Sequence, residues 1–201
     1  MKIGLYFGSF NPVHIGHLII ANHVATNIDL DQVWFIVSPQ NPFKNAGTLL
    51  NEYHRLHMLR SAIDGETKLR ASGIEFKLPK PSYTVDTLAY LKEMHPDHQF
   101  SLVMGSDGFQ NLNKWKNFEV IINNYPFYIY KRPGFEIKET WGANITLLSA
   151  PLLDISSTHI RDLVRHKRSI RFLVPDPVLE EILSNGYYRD ELKNKPQQET
   201  E

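Results

Sequence analysis

Cysteine is absent from the 201-residue chain. Its absence excludes disulfides, thiolate metal sites and a cysteine nucleophile, and is typical of a reducing compartment. An excess of either charge is also lacking, because 22 Lys plus Arg balance 22 Asp plus Glu. A protein that binds many nucleic-acid phosphates usually carries a basic excess, so we expect no nucleic-acid partner.

Long hydrophobic runs are missing as well. No apolar stretch approaches the roughly 20 residues that a membrane-spanning helix needs. No signal-peptide pattern surrounds the strand-like "KIGLYF" at residues 2–7. We therefore expect no membrane association and a cytoplasmic location. Hydrophobic residues still make up 42% of the chain, which is enough for a sizeable core.

Apolar strand-like segments alternate with helical patterns along the chain. The predicted strands are residues 2–7, 33–39, 100–105, 126–134 and 145–155. The predicted helices include residues 16–28, 52–64, a segment from 84, one from 156 and one from 176. Residues 106–124 are predicted to form a turn and then a helix. Such alternation indicates an α/β fold with a doubly wound parallel sheet and a small helical C-terminal part.

One domain accounts for the whole pattern. We expect it to cover residues 1–192, with residues 155–192 as the helical C-terminal part. Residues 193–201 are polar and are predicted to be a flexible tail.

The stretch "GSFNPVHIGHL" at residues 8–18 lies between a predicted strand and a predicted helix. Ligands bind at such strand ends, and the amides of a helix N-terminus favour anions. His14 and His17 are three residues apart, so both side chains can donate to the same phosphate group. The alternatives are a pair of packed histidines or a metal-chelating pair, although no third ligand of clear spacing is nearby.

A second polar segment, "ISSTHIR" at residues 155–161, opens another predicted helix. Hydroxyl groups, free backbone amides and the Arg161 guanidinium converge there, which suits a polyphosphate. Alone, the segment could equally be an ordinary helix cap with a solvated arginine. Together with the first segment it favours phosphate binding.

These two segments carry a resemblance to a known family. "GSFNPVHIGHL" resembles the His-x-Gly-His signature of the nucleotidyltransferase superfamily, which class I aminoacyl-tRNA synthetases share. "ISSTHIR" is similar to the Ile-Ser-Ser-Thr-x-Ile-Arg motif of nicotinate and nicotinamide mononucleotide adenylyltransferases. The lysine-rich loop of the synthetases does not occur here, and pantetheine-phosphate adenylyltransferases lack the second motif. The resemblance implies a Rossmann-like nucleotidyltransferase fold of the bacterial type.

The resemblance also implies roles for individual residues. The catalytic set is His17, His14 and Arg161. The implied ATP-binding set is Gly8, Ser9, Phe10, His14, His17, Lys44, Gly105, Asp107, Ile155, Ser157, Thr158 and Arg161. The implied mononucleotide-binding set is Thr84, Asp86, Trp115 and Arg132, with Trp115 stacked on the pyridine unless it is a core anchor.

Two positions depart from the family pattern. Phe7 stands where the family often has a glycine, so an extra ring adjoins the first motif. Phe43 replaces the histidine of a Pro-His-Lys loop, which leaves Lys44 to contact phosphate without it.

The implied reaction joins nicotinate mononucleotide to ATP, giving nicotinate adenine dinucleotide and pyrophosphate in NAD biosynthesis. Mg²⁺ is expected to enter with ATP. The alternatives are an amide-preferring enzyme, a pantetheine-phosphate adenylyltransferase, a cytidylyltransferase and a catalytically silent nucleotide-binding protein. The basic cluster at residues 165–171 is either a solvated face or an interface of a homo-oligomer.

Overall fold

The computed structural model describes residues 1–40, 49–151 and 153–189. The described residues form a parallel sheet of six strands in the order β3-β2-β1-β4-β5-β6. The strands are β1 (Lys2–Gly8), β2 (Gln32–Val37), β3 (Leu69–Ser72), β4 (Gln99–Gly105), β5 (Phe127–Tyr130) and β6 (Ile145–Leu148). This order is that of a doubly wound Rossmann-like sheet, so the α/β fold predicted from the sequence is confirmed.

Helices connect the parallel strands from β1 to β5, whereas residues 131–144 join β5 to β6 without a helix. Two more helices follow β6. The helices carry the following labels. They are α1 (Ile15–Asn27), α2 (Glu52–Ala62), α3 (Thr84–Met94), α4 (Ser106–Phe109), α5 (Phe118–Asn124), α6 (Ser157–Arg165) and α7 (Asp176–Asn185). Short 3₁₀ turns lie at Ile74–Lys77 and Leu112–Lys114. No helix in the described parts of the chain is long and apolar enough to cross a membrane.

Both faces of the sheet are covered, so the central strands are apolar on both sides. On one face, Val24 of α1, Leu59 of α2 and Val178 of α7 pack in a common buried cluster. On the other face, Leu88 and Leu91 of α3 pack against a second cluster. Strands β1 and β2 contribute side chains to both clusters, which explains why their sequences read as continuous hydrophobic runs.

The structure differs from the sequence-based expectation in three places. Strand β3 was not predicted, because "LRAS" is short, half-buried and free of any apolar run. The strand expected over residues 145–155 ends at Leu148, and Pro151, which lacks a ladder donor, follows soon after. The segment after β4, expected as a turn followed by a helix, forms α4, a 3₁₀ turn and α5.

Helices α6 and α7 form the helical C-terminal part. The basic cluster lies mostly in the turn after α6, where Lys167, Arg168 and Arg171 are exposed. The side chains of Arg165 and His166 both approach Asp162, at 3.7 and 3.5 Å.

Candidate active site

The site lies where the strand order reverses. Strand β1 lies between β2 and β4 in the sheet, and both β1 and β4 end in glycine. A Cβ atom on Gly8 would lie 2.8 Å from the Phe10 ring, and one on Gly105 would lie 2.3 Å from the Asp107 carboxylate. A cavity of about 680 Å³ opens at these carboxyl ends, as expected for ligands of this fold.

The histidines of the first motif form a stacked pair at the start of α1. Their ring centroids are 3.6 Å apart with an interplanar angle of 26°. The backbone N–H of His14 donates to Nδ1 of His17 at 3.3 Å, so a neutral His17 carries its proton on Nε2. His14 is buried, whereas His17 is partly exposed and lines the cavity. His17 is therefore able to donate an N–H to a bound phosphate.

The environment of His14 keeps this imidazole neutral. Burial, with a further contribution from the charge of Arg132, lowers the pKa of His14 to about 4. At neutral pH the buried ring therefore supports His17 as an uncharged stacking partner. The Phe10 ring contacts His17 edge-on with a centroid distance of 5.1 Å, which further restricts the His17 ring.

The second motif contacts the first directly, beside the cavity. Helix α6 begins at Ser157, and its N-cap Ser156 accepts a hydrogen bond from the backbone of His159. The Ser157 hydroxyl donates to the Pro12 carbonyl at 2.9 Å. The Arg161 guanidinium donates to the Asn11 carbonyl at 2.8 Å. Two segments about 150 residues apart in the chain are thus joined side by side.

Most of the predicted site residues are brought to this cavity. The predicted residues that line it are Gly8, Ser9, Phe10, His14, His17, Thr84, Gly105, Asp107, Trp115, Arg132, Ile155, Ser157, Thr158 and Arg161. Phe7, the departure beside the first motif, lines it too. Lys44 and Phe43 lie outside the described residues.

Asp86 is the described exception, because it does not line the cavity. Its carboxylate instead pairs with the ammonium of Lys116 at 2.9 Å, and Lys116 does line the cavity. The expected direct contact of Asp86 with a mononucleotide stays a prediction. Asp86 lies in the first turn of α3, and nothing in the local sequence indicated its partner Lys116.

A cluster of polar side chains lies where β4 and β5 end. The Arg132 guanidinium Nε lies 3.6 Å from the Asp107 carboxylate, and the Arg132 backbone N–H donates to the Ser106 hydroxyl at 2.9 Å. The hydroxyl groups of Tyr6 and Tyr130 are 3.2 Å apart beside them. These contacts hold a cation in the wall of the cavity.

Asn11 is a site residue that the sequence reasoning missed. It is buried and lines the cavity, and its side-chain oxygen accepts hydrogen bonds from the Leu50 backbone and the Tyr188 hydroxyl at 3.2 and 3.0 Å. Its position inside the first motif was the available signal. Its partners could not be inferred, since they lie 39 and 177 residues away in the chain.

Two buried charged residues were also missed. Arg55 is fully buried and donates to the carbonyls of Leu50, Ser38 and Pro39 at 2.7, 2.8 and 3.1 Å, and also to that of Ser9. It therefore ties the first motif to the end of β2.

Glu75 is 2% exposed and lines the cavity. It accepts hydrogen bonds from the hydroxyls of Ser82 and Thr87 at 2.7 and 2.8 Å. Burial raises the pKa of Glu75, and these hydrogen bonds oppose the rise. Nothing in the local sequence pattern of Arg55 or Glu75 distinguishes it from a surface charge.

The donor set does not fit a metal held by the protein. Within residues 1–40, 49–151 and 153–189, no group of three or more His, Asp or Glu side chains is arranged to bind a metal ion. Among these described residues, the stacked histidine pair has no third ligand of the kind that a structural or catalytic zinc site needs.

Comparisons with known proteins identify the family. The cytidylyltransferase-like family model matches residues 5–163. A protein of Cytophaga hutchinsonii named "probable nicotinate-nucleotide adenylyltransferase" is 52% identical over 191 residues, covering 94% of this chain and 98% of that protein. The chain belongs to the nicotinate-nucleotide adenylyltransferase family. A member of this family from Flavobacterium psychrophilum is 49% identical over 192 residues, covering 94% of this chain and all of the relative.

Solved structures show the same fold as this member of the nicotinate-nucleotide adenylyltransferase family. Plasmodium falciparum nicotinic acid mononucleotide adenylyltransferase complexed with NaAD superposes with a TM-score of 0.80 at 22% identity, covering 93% of this chain and 97% of that chain. The same enzyme complexed with APC gives a TM-score of 0.79 at 22% identity, with 93% and 96% covered. The resemblance drawn from the two motifs is thus confirmed.

Proposed function

We propose that the chain transfers the adenylyl group of ATP to nicotinate mononucleotide, giving nicotinate adenine dinucleotide and pyrophosphate. The observation that carries the proposal is the junction of the two phosphate-binding segments through Arg161 and Ser157 beside one cavity. The names of relatives that are 52% and 49% identical over nearly the whole chain support this activity over the other branches of the superfamily.

The reaction needs no general base. A phosphate monoester has a second pKa of about 6, so the mononucleotide phosphate is mostly dianionic at neutral pH. One of its oxygens attacks the α-phosphorus of ATP, and the bond from that phosphorus to the α,β-bridging oxygen breaks. Pyrophosphate leaves with the electron pair of that bond. The protein therefore has to position two anions and stabilise the charge that moves to the leaving group.

The first motif is assigned to the α-phosphate. The Nε2–H of neutral His17 is a donor at the cavity surface, and the stacked His14 and the Phe10 ring hold the His17 ring in place. A preorganised donor of this kind gains strength as negative charge develops on the phosphate.

The second motif is assigned to the leaving pyrophosphate. Helix α6 presents backbone amides at its N-terminus, and the Thr158 hydroxyl accepts from the Arg161 guanidinium at 3.3 Å and so keeps its own proton for a phosphate. Ser157 is assigned to this group through its place in the cavity wall, since its hydroxyl donates to the Pro12 carbonyl. Such a set of donors suits phosphate oxygens. The Asn11 carbonyl holds Arg161 next to the first motif, so both motifs can act on one triphosphate. Lys44 is proposed as a further phosphate contact on the basis of the sequence resemblance alone.

We propose that Mg²⁺ enters the site with ATP, as part of the substrate. A metal ion that bridges phosphate oxygens and keeps several waters needs few ligands from the protein. This agrees with the absence of a clustered ligand set in the described parts of the chain.

The mononucleotide is assigned to the side of the cavity lined by Thr84, Trp115 and Arg132. Helix α3 begins at Thr84, and the backbone amides of a helix N-terminus suit a carboxylate. Trp115 offers an aromatic face to a planar pyridine ring. Arg132 supplies the positive charge for the mononucleotide phosphate. These features favour the acid over the amide.

An acceptor comparison tests the proposal. The purified protein is incubated with MgATP and nicotinate mononucleotide, nicotinamide mononucleotide or pantetheine phosphate, and pyrophosphate and the adenylylated product are both measured. A parallel reaction replaces ATP with CTP. We expect equal amounts of dinucleotide and pyrophosphate, with the highest kcat/KM for ATP and the acid. Preference for pantetheine phosphate or CTP, or no turnover with any acceptor, would overturn the assignment.

A further inference from the structure

Two adjacent tyrosines follow α7, and their hydroxyl groups bind different parts of the molecule. The Tyr187 hydroxyl pairs with Nδ1 of His54 at 2.9 Å on the surface of α2. The Tyr188 hydroxyl donates to the side-chain oxygen of Asn11 at 3.0 Å, in the first phosphate-binding motif. Only the second tyrosine reaches from the end of the chain to the wall of the active-site cavity.

The backbone at Tyr188 is unusual. Its φ angle is +64°, in the left-handed region that non-glycine residues seldom adopt. The two tyrosine rings are inclined by 68° to each other. The turn thus directs the two rings to different partners. A costly backbone conformation at a residue that contacts a functional loop is a reason to look for a functional role.

The Tyr188 hydroxyl is suited to act as a permanent donor. Burial raises the pKa of Tyr188 well above its ordinary value, although the charges of Arg55 and Arg161 oppose the rise. The hydroxyl therefore keeps its proton at neutral pH. Asn11 can accordingly accept this hydrogen bond at neutral pH.

Asn11 links the parts that have to come together for catalysis. Its side-chain oxygen also accepts from the Leu50 backbone, and its carbonyl accepts from the Arg161 guanidinium. The orientation of the Asn11 peptide thus affects both the first motif and the arginine of the second. A donor that fixes the Asn11 side chain also restricts the distance between the two motifs.

We propose that Tyr188 is a positioning residue for the triphosphate of ATP, acting through Asn11. The inference rests on the proposed adenylyl transfer for its kinetic consequence. It concerns a residue outside both phosphate motifs that does not line the cavity. Its hydroxyl holds the Asn11 side chain so that the Arg161 guanidinium and the His17 imidazole face the same phosphates.

The adjacent tyrosine provides the matched control. Tyr188→Phe and Tyr187→Phe each remove one hydroxyl oxygen and keep the ring, so they differ in which hydrogen bond is lost. The loss of one hydrogen bond corresponds to a change of about threefold to tenfold. We expect Tyr188→Phe to lower kcat/KM for ATP by that factor and to change the KM for nicotinate mononucleotide less than twofold. Tyr187→Phe should have the kinetic constants of the unsubstituted protein.

A double-substitution cycle distinguishes positioning from a general loss of stability. If Tyr188 acts through Asn11, Tyr188→Phe has no further effect on kcat/KM for ATP in an Asn11→Ala background. Multiplicative effects of the two changes on kcat/KM would contradict the proposal, as would equal rises in the KM values for ATP and for the mononucleotide. An equal loss of kcat/KM for ATP in the two tyrosine variants would also contradict it.

The affinity for a non-hydrolysable ATP analogue, measured by calorimetry, separates this proposal from the proposed function. An unsubstituted protein that makes no dinucleotide overturns the adenylyl transfer alone. The positioning role is then judged by whether Tyr188→Phe, and not Tyr187→Phe, weakens binding of the analogue.

Discussion

The buried His14 leads to a definite prediction about stability and pH. Its pKa falls from 6.5 to about 4 because the ring is buried, with a smaller contribution from Arg132. Between these two values the unfolded chain binds a proton that the folded chain does not, so acid favours unfolding. The stabilisation is complete above pH 6.5 and is lost as the pH falls towards 4.

The size of the effect follows from the same two values. At about 1.36 kcal/mol for each pH unit, the full titration amounts to roughly 3 kcal/mol. The part between pH 7 and pH 5 is roughly 2 kcal/mol, because the folded form is still largely unprotonated at pH 5. His14→Gln removes the titrating group and keeps a polar side chain at the N-cap of α1. Between pH 7 and pH 5, the free energy of unfolding should therefore fall by roughly 2 kcal/mol less in this variant than in the unsubstituted protein.

Urea unfolding followed by tryptophan fluorescence measures this difference at pH 7 and pH 5. Trp34 is buried, so unfolding changes its surroundings. Subtracting the free-energy change of the variant from that of the unsubstituted protein cancels the contributions of the other titrating groups. If the two proteins lose the same free energy over this range, His14 is solvated or charged in the folded state, and its role as a neutral support for His17 is wrong.

Three further substitutions test separate parts of the site. His17→Ala should keep the unfolding midpoint of the unsubstituted protein and lower kcat about 100-fold or more, because one transition-state donor is lost; near-normal turnover would contradict the assignment. Glu75→Gln should raise the KM for nicotinate mononucleotide about tenfold without changing that for ATP, because the carboxylate that holds Ser82 and Thr87 is lost; an equal change in both KM values would argue against a local effect. Arg55→Leu should lower the free energy of unfolding by about 3 kcal/mol or more in urea titrations, because buried carbonyls lose their charged donor. A change below about 1 kcal/mol would contradict the stabilising role of the Arg55 hydrogen bonds.

Much of the fold could be predicted because its signals are local. Strands β1, β2 and β4 are covered on both faces and read as apolar runs, and turn residues separate them from the helices. Strand β3 has only four residues at the edge of the sheet. Its place depends on pairing with β2, which leaves no pattern in "LRAS" itself.

The candidate site, too, could be predicted only where its signals are local in the sequence. The two motifs were found because each is contiguous in the sequence and lies at the start of a helix. The contacts that join them were not, since the hydrogen bond from Arg161 to Asn11 links positions 150 residues apart. The same holds for Asp86, whose pairing with Lys116 depends on how α3 packs against α5.

The central claim is that both motifs act on one triphosphate, and a crystal structure with a non-hydrolysable ATP analogue tests it most directly. We predict phosphate oxygens within hydrogen-bond distance of both the His17 imidazole and the Arg161 guanidinium, with the α-phosphate on the His17 side. A triphosphate bound by only one of these two side chains, or bound outside the cavity between β1 and β4, would contradict the account.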